Sequence, residues 1–255
     1  MSRGTVLITG VGRRRGIAAG LAVALAAAGW DLTLNHWLPY DERVGLGHGH
    51  DDPSDIAQEC RALGAETAVV SADLADVTVP DDLIRRANHR GDLTAIVLAH
   101  TEGVNSGILD TTIDSWDRHY AVNARANWLL IKAFAQQLPS AVRDAEAGRI
   151  VALTSDHSAY NLPYGTSKGA LDRLVVAAAI ELADRGIRAN CINPGPIDTG
   201  WMDDEIRRHG IAQTPAGRLG TPKDTADLVT FLLSPSGGWI TGQVLYSSGG
   251  FHTST

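Results

Sequence analysis

The sequence predicts an α/β fold, a single doubly wound parallel sheet of seven strands with helices on both faces. Three observations carry this. Short apolar or β-branched runs alternate with stretches of helical period along the whole chain. The residues able to do chemistry fall just after those runs, and in a parallel α/β sheet ligands bind beyond the carboxyl ends of the strands. Finally, 255 residues with 44% hydrophobic and 20% charged side chains can bury one large core, and no linker or low-complexity tract divides them, so residues 1–255 read as one domain.

In chain order, residues 5–9 are the first strand and residues 16–28 a helix closed by Gly29. Arg13, Arg14 and Arg15 before the apolar stretch 17–28 have the look of a signal peptide. The strand ahead of them, with Gly16 and Gly20, fits a glycine-rich turn into a buried helix better. Strand 31–35, helix 53–63 and strand 66–71 follow, then a helix at about 81–90 and the apolar strand 95–99. The second half reads as a long helix at about 113–138, strand 149–153, a helix from about 164 to 184, strand 188–192, helix 223–233 and strand 243–246. The net charge of −7 argues against nucleic acid or an anionic membrane as partner. No apolar run is long enough to span a bilayer. Cys60 and Cys191 are too few for a disulfide framework, which implies a reducing, cytoplasmic setting.

Tyr164 and Lys168 stand four apart on a predicted helix, so both can point into one cleft. An ammonium beside a phenol favours the phenolate and brings a group of pKa about 10 toward a range useful for proton transfer. Elsewhere along the same sheet edge stand the turn Gly10-Val11-Gly12-Arg13-Arg14-Arg15-Gly16-Ile17, Asp73-Leu74, Thr154-Ser155, and the run Asn193 to Thr199. A glycine-rich turn opening a helix can hold a pyrophosphate on backbone N–H groups. Taken singly, Asp73, Pro194 and Gly195 are ordinary turn residues and Ser155 a helix cap. Together at one edge they mark a site.

These motifs resemble the short-chain dehydrogenase/reductase family, its 3-oxoacyl reductase-like branch, from about residue 5 to 250. The resemblance implies a Rossmann fold and an NAD(P)-dependent oxidoreductase. It gives Ser155 the carbonyl, Tyr164 the proton, Lys168 the nicotinamide ribose and the lowering of the phenol, and Asn123 a proton-relay water. Gly10, Gly12, Arg14, Arg15, Gly16 and Ile17 would hold the phosphates, with Asp73, Leu74 and Ala99 on the adenosine side and Pro194, Gly195, Ile197 and Thr199 on the nicotinamide side. The sequence departs from the family in four places. Its glycine turn has five residues between Gly10 and Gly16, as in related enoyl reductases. Ile96-Val97-Leu98-Ala99 replaces N-N-A-G, which predicts a more apolar pocket floor. Ser155 and Tyr164 are only nine apart, leaving Ser158 as a reserve hydroxyl. Ser248-Gly249-Gly250 replaces D-G-G.

The end of the second strand holds His36 where NAD-specific relatives carry an acid; Asp41 and Glu42 come only later. With Arg14 and Arg15 near the turn this favours a 2′-phosphate, so NADP(H) is the expected cofactor and NAD(H) the second. The expected substrate is a small-molecule ketone or secondary alcohol; an enoyl reductase and a nucleotide-sensing binding protein are the alternatives. His48, His50, Asp51 and Asp52 read as a surface loop rather than a metal site, and His100 as a satisfied loop histidine at the cleft border. Trp201 and Met202 open a predicted substrate lid at about 200–216. The resemblance also implies a homodimer or homotetramer.

Overall fold

The structure, a computed structural model, describes residues 3–46, 52–138, 147–157 and 159–251. Its strands are β1 (Thr5–Ile8), β2 (Asp31–His36), β3 (Thr67–Ser71), β4 (Leu93–Leu98), β5 (Gly148–Leu153), β6 (Ile187–Asn193) and β7 (Val244–Tyr246). They form one parallel sheet in the order β3-β2-β1-β4-β5-β6-β7. From β1 the chain winds outward to β3 and then crosses back to β4. The order therefore reverses between β1 and β4, which opens a crevice at their carboxyl ends.

Strand side chains alternate with a period of two, and here both faces are buried. Val6 and Ile8 of β1 enter one core layer and Leu7 the other. The first layer is closed by α1 (Ile17–Ala27), α3 (Asp52–Ala62) and α9 (Pro222–Leu232), the second by α4 (Val79–Ala87), α6 (Ala126–Gln137) and α7 (Leu162–Glu181). Helices α1 and α9 touch so closely that a Cβ on Gly20 would lie 2.5 Å from the Cβ of Pro222. The alanines of α1 serve the same end, since small side chains let helices approach a crowded sheet.

The predicted helix 113–138 is real but not uniform. It runs as α5 (Ile113–Tyr120), one π-helical turn at Ala121–Arg125, and α6. The extra residue in that turn rotates Asn123 inward, to full burial, a shift that residue spacing alone does not announce. Two helices were not predicted as such: α2 (Leu38–Arg43), a short segment after β2, and α8 (Asp204–Gln213), inside the region read as a lid. Among the described residues no helix is long and apolar enough to cross a membrane. His48, His50, Asp51 and Ser158 lie outside the described residues.

Candidate active site

The site is assembled at the ends of β1, β4, β5 and β6. Helix α7 begins after Asn161 with Pro163 in its first turn, a residue that costs no hydrogen bond there. Tyr164 and Lys168 follow on one face, the Lys168 ammonium 5.7 Å from the centre of the Tyr164 ring. Lys168 is 3% exposed, and its Nζ donates to the carbonyl of Leu153 at the end of β5 (2.9 Å). Burial pulls Lys168 down to about 8, against the opposing pull of the Asp172 carboxylate. Burial pushes the Tyr164 phenol up; a hydrogen bond with Ser155 pulls it down and Asp156 raises it. The net direction for the phenol is upward, because desolvation outweighs the pull of Ser155. Ser155, the expected hydroxyl, meets Tyr164 despite the shortened loop, and its Oγ also accepts from the N–H of His157 (3.2 Å).

Asn123 reaches the site through the π-helical turn, and all four of its amide bonding positions are used. Its Oδ1 accepts from the N–H of Glu102 (2.8 Å) and the hydroxyl of Thr101 (3.2 Å). Its Nδ2 donates to the carbonyl of Glu102 and to Ser167 Oγ, each at 2.9 Å. Ser167 in turn donates to the carbonyl of Tyr164 (2.7 Å). Asn123 therefore braces the loop after β4 against the helix that carries Tyr164. That loop also lies against the tyrosine itself, where a Cβ on Gly103 would stand 3.7 Å from the Tyr164 ring.

The loop after β4 corrects the expectation of an apolar floor. His100 is buried, its Nδ1 2.7 Å from the hydroxyl of Thr9 at the end of β1 and its Nε2 donating to the carbonyl of Val122 (3.1 Å). The Thr9 oxygen also accepts from the N–H groups of Ala99 (3.0 Å) and His100 (3.3 Å). Burial, helped by the Lys168 charge, holds His100 down to about 3, so it is a neutral hydrogen-bonded tie. The structural bonding that a missing asparagine left open is carried here by an imidazole.

Glycine is required at two points of this rim. Gly10 has φ +81°, and a Cβ there would be 2.8 Å from the backbone of His100; Gly195 has φ +66° with a Cβ position 2.6 Å from Ser248 Cβ. These glycines let the turns after β1 and β6 pack against the loop after β4 and the segment at Ser248. A cleft of about 190 Å³ runs along the turn after β1, lined by Gly10, Gly12, Gly16 and Ile17, by Asp73, Leu74 and Ala99, and by Leu153 and Thr199. Pro194, Gly195 and Ile197 form the neighbouring turn, with Ile197 buried and bridged to Gly220. Tyr164, Lys168 and Ser155 stand beyond this cleft rather than lining it.

The half of the cleft expected to take the adenosine departs most from the sequence reading. His36 does not line the cleft; Asn35 and Trp37 do, because strand side chains alternate and His36 faces the other way. Its Nδ1 is buried without a hydrogen-bond partner. Arg14 lies outside, 4.0 Å from Asp55 and 3.8 Å from Glu59, and Arg15 lies 3.6 Å from Asp198. The guanidinium in the cleft is that of Arg13, which pairs with Asp41 (2.9 Å) and donates to the carbonyl of Thr199 (2.7 Å). Asp41 was expected to be too far along the chain. Helix α2 turns back, however, and puts its carboxylate where it would be 2.9 Å from a Cβ on Gly12. The same helix ties itself to the loop after β4 through Tyr40, whose hydroxyl donates to Gly103 (3.3 Å), and through Arg43, which holds both oxygens of buried Glu102 (2.7 Å). Asp73 lines the cleft as expected, but is paired with Arg118 (3.1 Å).

A family model described as enoyl-(acyl carrier protein) reductase matches residues 10–252. The uncharacterized oxidoreductase YjdA of Bacillus subtilis is 33% identical, the match covering 96% of this chain and 95% of that protein. The chain belongs to the short-chain dehydrogenase/reductase family. Among other relatives, an L-rhamnose 1-dehydrogenase (NAD(P)(+)) of Sphingomonas is 30% identical over 97% of this chain and 96% of its own. A blue fluorescent protein from a metagenomic library, solved in complex with NADPH, superposes with a TM-score of 0.84 at 27% identity, over 99% of each chain. The short-chain dehydrogenase/reductase described here is an enzyme of an NAD(P)-dependent oxidoreductase family. Its glycine turn fits such a dinucleotide, because Gly10, Gly12 and Gly16 line the cleft without side chains where helix α1 begins at Ile17.

Proposed function

We propose that the protein is an NADP(H)-dependent oxidoreductase that interconverts a ketone and a secondary alcohol, with Tyr164 exchanging the proton. The observation that carries this reading is the cluster at the end of β5, where the Tyr164 phenol faces Ser155 and the buried Lys168 holds its ammonium 5.7 Å from the phenol ring. When bound, the nicotinamide supplies the hydride. Ser155 holds the substrate oxygen and Tyr164 gives its phenolic proton to it; Lys168 stabilises the phenolate left behind. Burial favours the protonated phenol at neutral pH, which suits the reducing direction. Asn123 keeps the Glu102 loop and the Tyr164 helix in register, and through that bracing it would support the relay water of the proton path.

The glycine turn, Asp73, Leu74 and Ala99 would hold the adenosine and phosphates, with Pro194, Gly195, Ile197 and Thr199 at the nicotinamide. Arg13 takes the phosphate-facing role first expected of Arg14 and Arg15, since it is the arginine of the run that faces the cleft. NADP(H) is then preferred and NAD(H) second. Residues 200–216 act as the substrate lid, with Trp201 about half exposed and Met202 buried. The exposed Trp128 and Ile180 on α6 and α7, and Phe231 on α9 with Trp239 ahead of β7, suit the two interfaces of a homodimer or homotetramer working in the cytoplasm.

The enoyl reductase reading is favoured by the description of the matching family model and by the long glycine turn. Against it, those relatives space tyrosine and lysine seven apart, and seven before Lys168 stands Asn161, with no phenol. Steady-state assays with NADPH over a panel of ketones and enoyl thioesters test the choice. Turnover of ketones alone is expected; turnover of enoyl thioesters alone contradicts the proposal, and turnover of neither favours a binding protein.

A further inference from the structure

Lys168 faces the Tyr164 ring and the carbonyl of Leu153 on one side; on the other it has an acidic neighbour that the mechanism does not use. Asp172 lies one helical turn further along α7, on the same face. Its carboxyl faces the hydroxyl of Thr154, just after β5, and the thiol of Cys191 on β6. Both are buried, Cys191 completely. One carboxyl oxygen, Oδ1, is buried with no hydrogen-bond partner. Thr154 also sits 3.4 Å from the carbonyl of Lys168, so acid, hydroxyl and lysine backbone share one packed seat. A buried carboxyl without full hydrogen bonding is costly unless a charge nearby repays it. Four groups face Asp172: Thr154 from the end of β5, Cys191 from β6, and Lys168 and Arg173 from its own helix. Cys191 is a thiol held in the protonated state by burial, so it adds no charge. The cation of this cluster that enters the active site is Lys168.

We propose that Asp172 is the charge partner of Lys168, a positioning residue that keeps the ammonium charged and aimed at Tyr164 inside a water-poor cleft. Removing a carboxylate next to a buried ammonium favours its neutral form. Without Asp172, Lys168 would lose its proton at a lower pH, and the support it gives the Tyr164 phenolate would disappear earlier on the alkaline side. The hydrogen bond from Nζ to Leu153 would then be the remaining restraint on a freer side chain.

This inference rests on the catalytic reading of Lys168, so its test does not require turnover. Lysine carrying a carbon-13 label at Cε reports the ionisation of Lys168 by NMR titration, with Lys168→Met assigning the signal. In the unmutated protein the midpoint is expected at about 8. Asp172→Asn should lower it by about one pH unit, and Asp172→Glu, which keeps the charge, should restore most of the loss. With an active substrate, the alkaline limb of kcat should move the same way, with KM changed less than about threefold. An unmoved midpoint in Asp172→Asn overturns the proposal. Equal shifts in the Asn and Glu variants overturn it too, since packing rather than charge would then be responsible. If the titration shifts as expected but no carbonyl compound is reduced, the charge pairing stands and the reaction assignment falls.

Discussion

The two halves of the cleft are built on different principles. At the catalytic end, Tyr164, Ser167 and Lys168 come from one helix, and Ser155 from the strand end beside it. Lys168 bonds to the carbonyl of Leu153 on β5, and Ser167 to the carbonyl of Tyr164 in its own helix and to the Asn123 amide. At the adenosine end the polar groups come from separate segments, and charged side chains pair across long sequence gaps: Arg13 with Asp41, Arg43 with Glu102, Arg118 with Asp73. The first kind of site is fixed by helical and strand periodicity. The second is settled by which acid reaches which arginine, so it is the part where substitutions should redistribute contacts rather than abolish function.

The sharpest contrast should come from the catalytic end. Tyr164→Phe keeps the ring and removes the proton, and kcat for ketone reduction should fall on the order of a thousandfold. NADPH affinity, followed by fluorescence titration, should change less than about twofold. Lys168→Ala should weaken both kcat and cofactor binding, because its ammonium serves the phenol and the ribose together. At the adenosine end, Arg13→Ala should weaken NADPH binding by about tenfold while kcat holds within about threefold, a loss of one charge-assisted contact. Comparable losses of kcat at both ends would erase the distinction.

How much of this was legible in the sequence follows the same division. The seven strands, their alternation with helices, and the meeting of Ser155, Tyr164 and Lys168 follow from periods of two and 3.6 residues, and those survive folding. The π-helical turn was not legible, since one extra residue in a helix of 25 leaves the hydrophobic pattern intact. Asn123 was found by its motif, but not its complete engagement with the loop after β4. His36 was misassigned by counting to the strand end without tracking which face it occupies. Asp41 was discounted by chain distance, because a six-residue helix that reverses direction has too little periodicity to be seen. Arg13 stood in the noted arginine run, yet only the fold says which of three guanidinium groups turns inward.

The central tie between β1 and the π-helical turn gives a smaller, pH-dependent effect. His100 is held neutral in the fold, its pKa depressed from the ordinary 6.5 to about 3. The folded state therefore binds fewer protons than the unfolded state between those values. Stability from this group is fully present above pH 6.5 and is lost as pH falls toward 3. In His100→Gln, melting temperatures between pH 7 and about 4.5 should fall less steeply than in the unmutated protein, though from a lower starting point. Parallel slopes would mean that His100 is not the neutral tie. Smallest of all, Arg14→Ala with Arg15→Ala should change the NADPH Michaelis constant by less than about twofold, since both side chains lie outside the cleft among acids. A tenfold rise would return them to the phosphate site.

The most direct measurement follows the label. NADPH deuterated at the transferring position is incubated with enzyme and an α,β-unsaturated ketone, and the product is read by NMR and mass spectrometry. The account predicts deuterium on the carbinol carbon of an allylic alcohol, and its loss in Tyr164→Phe. Deuterium at the carbon β to an intact carbonyl, or a label unmoved while NADPH stays tightly bound, would contradict it.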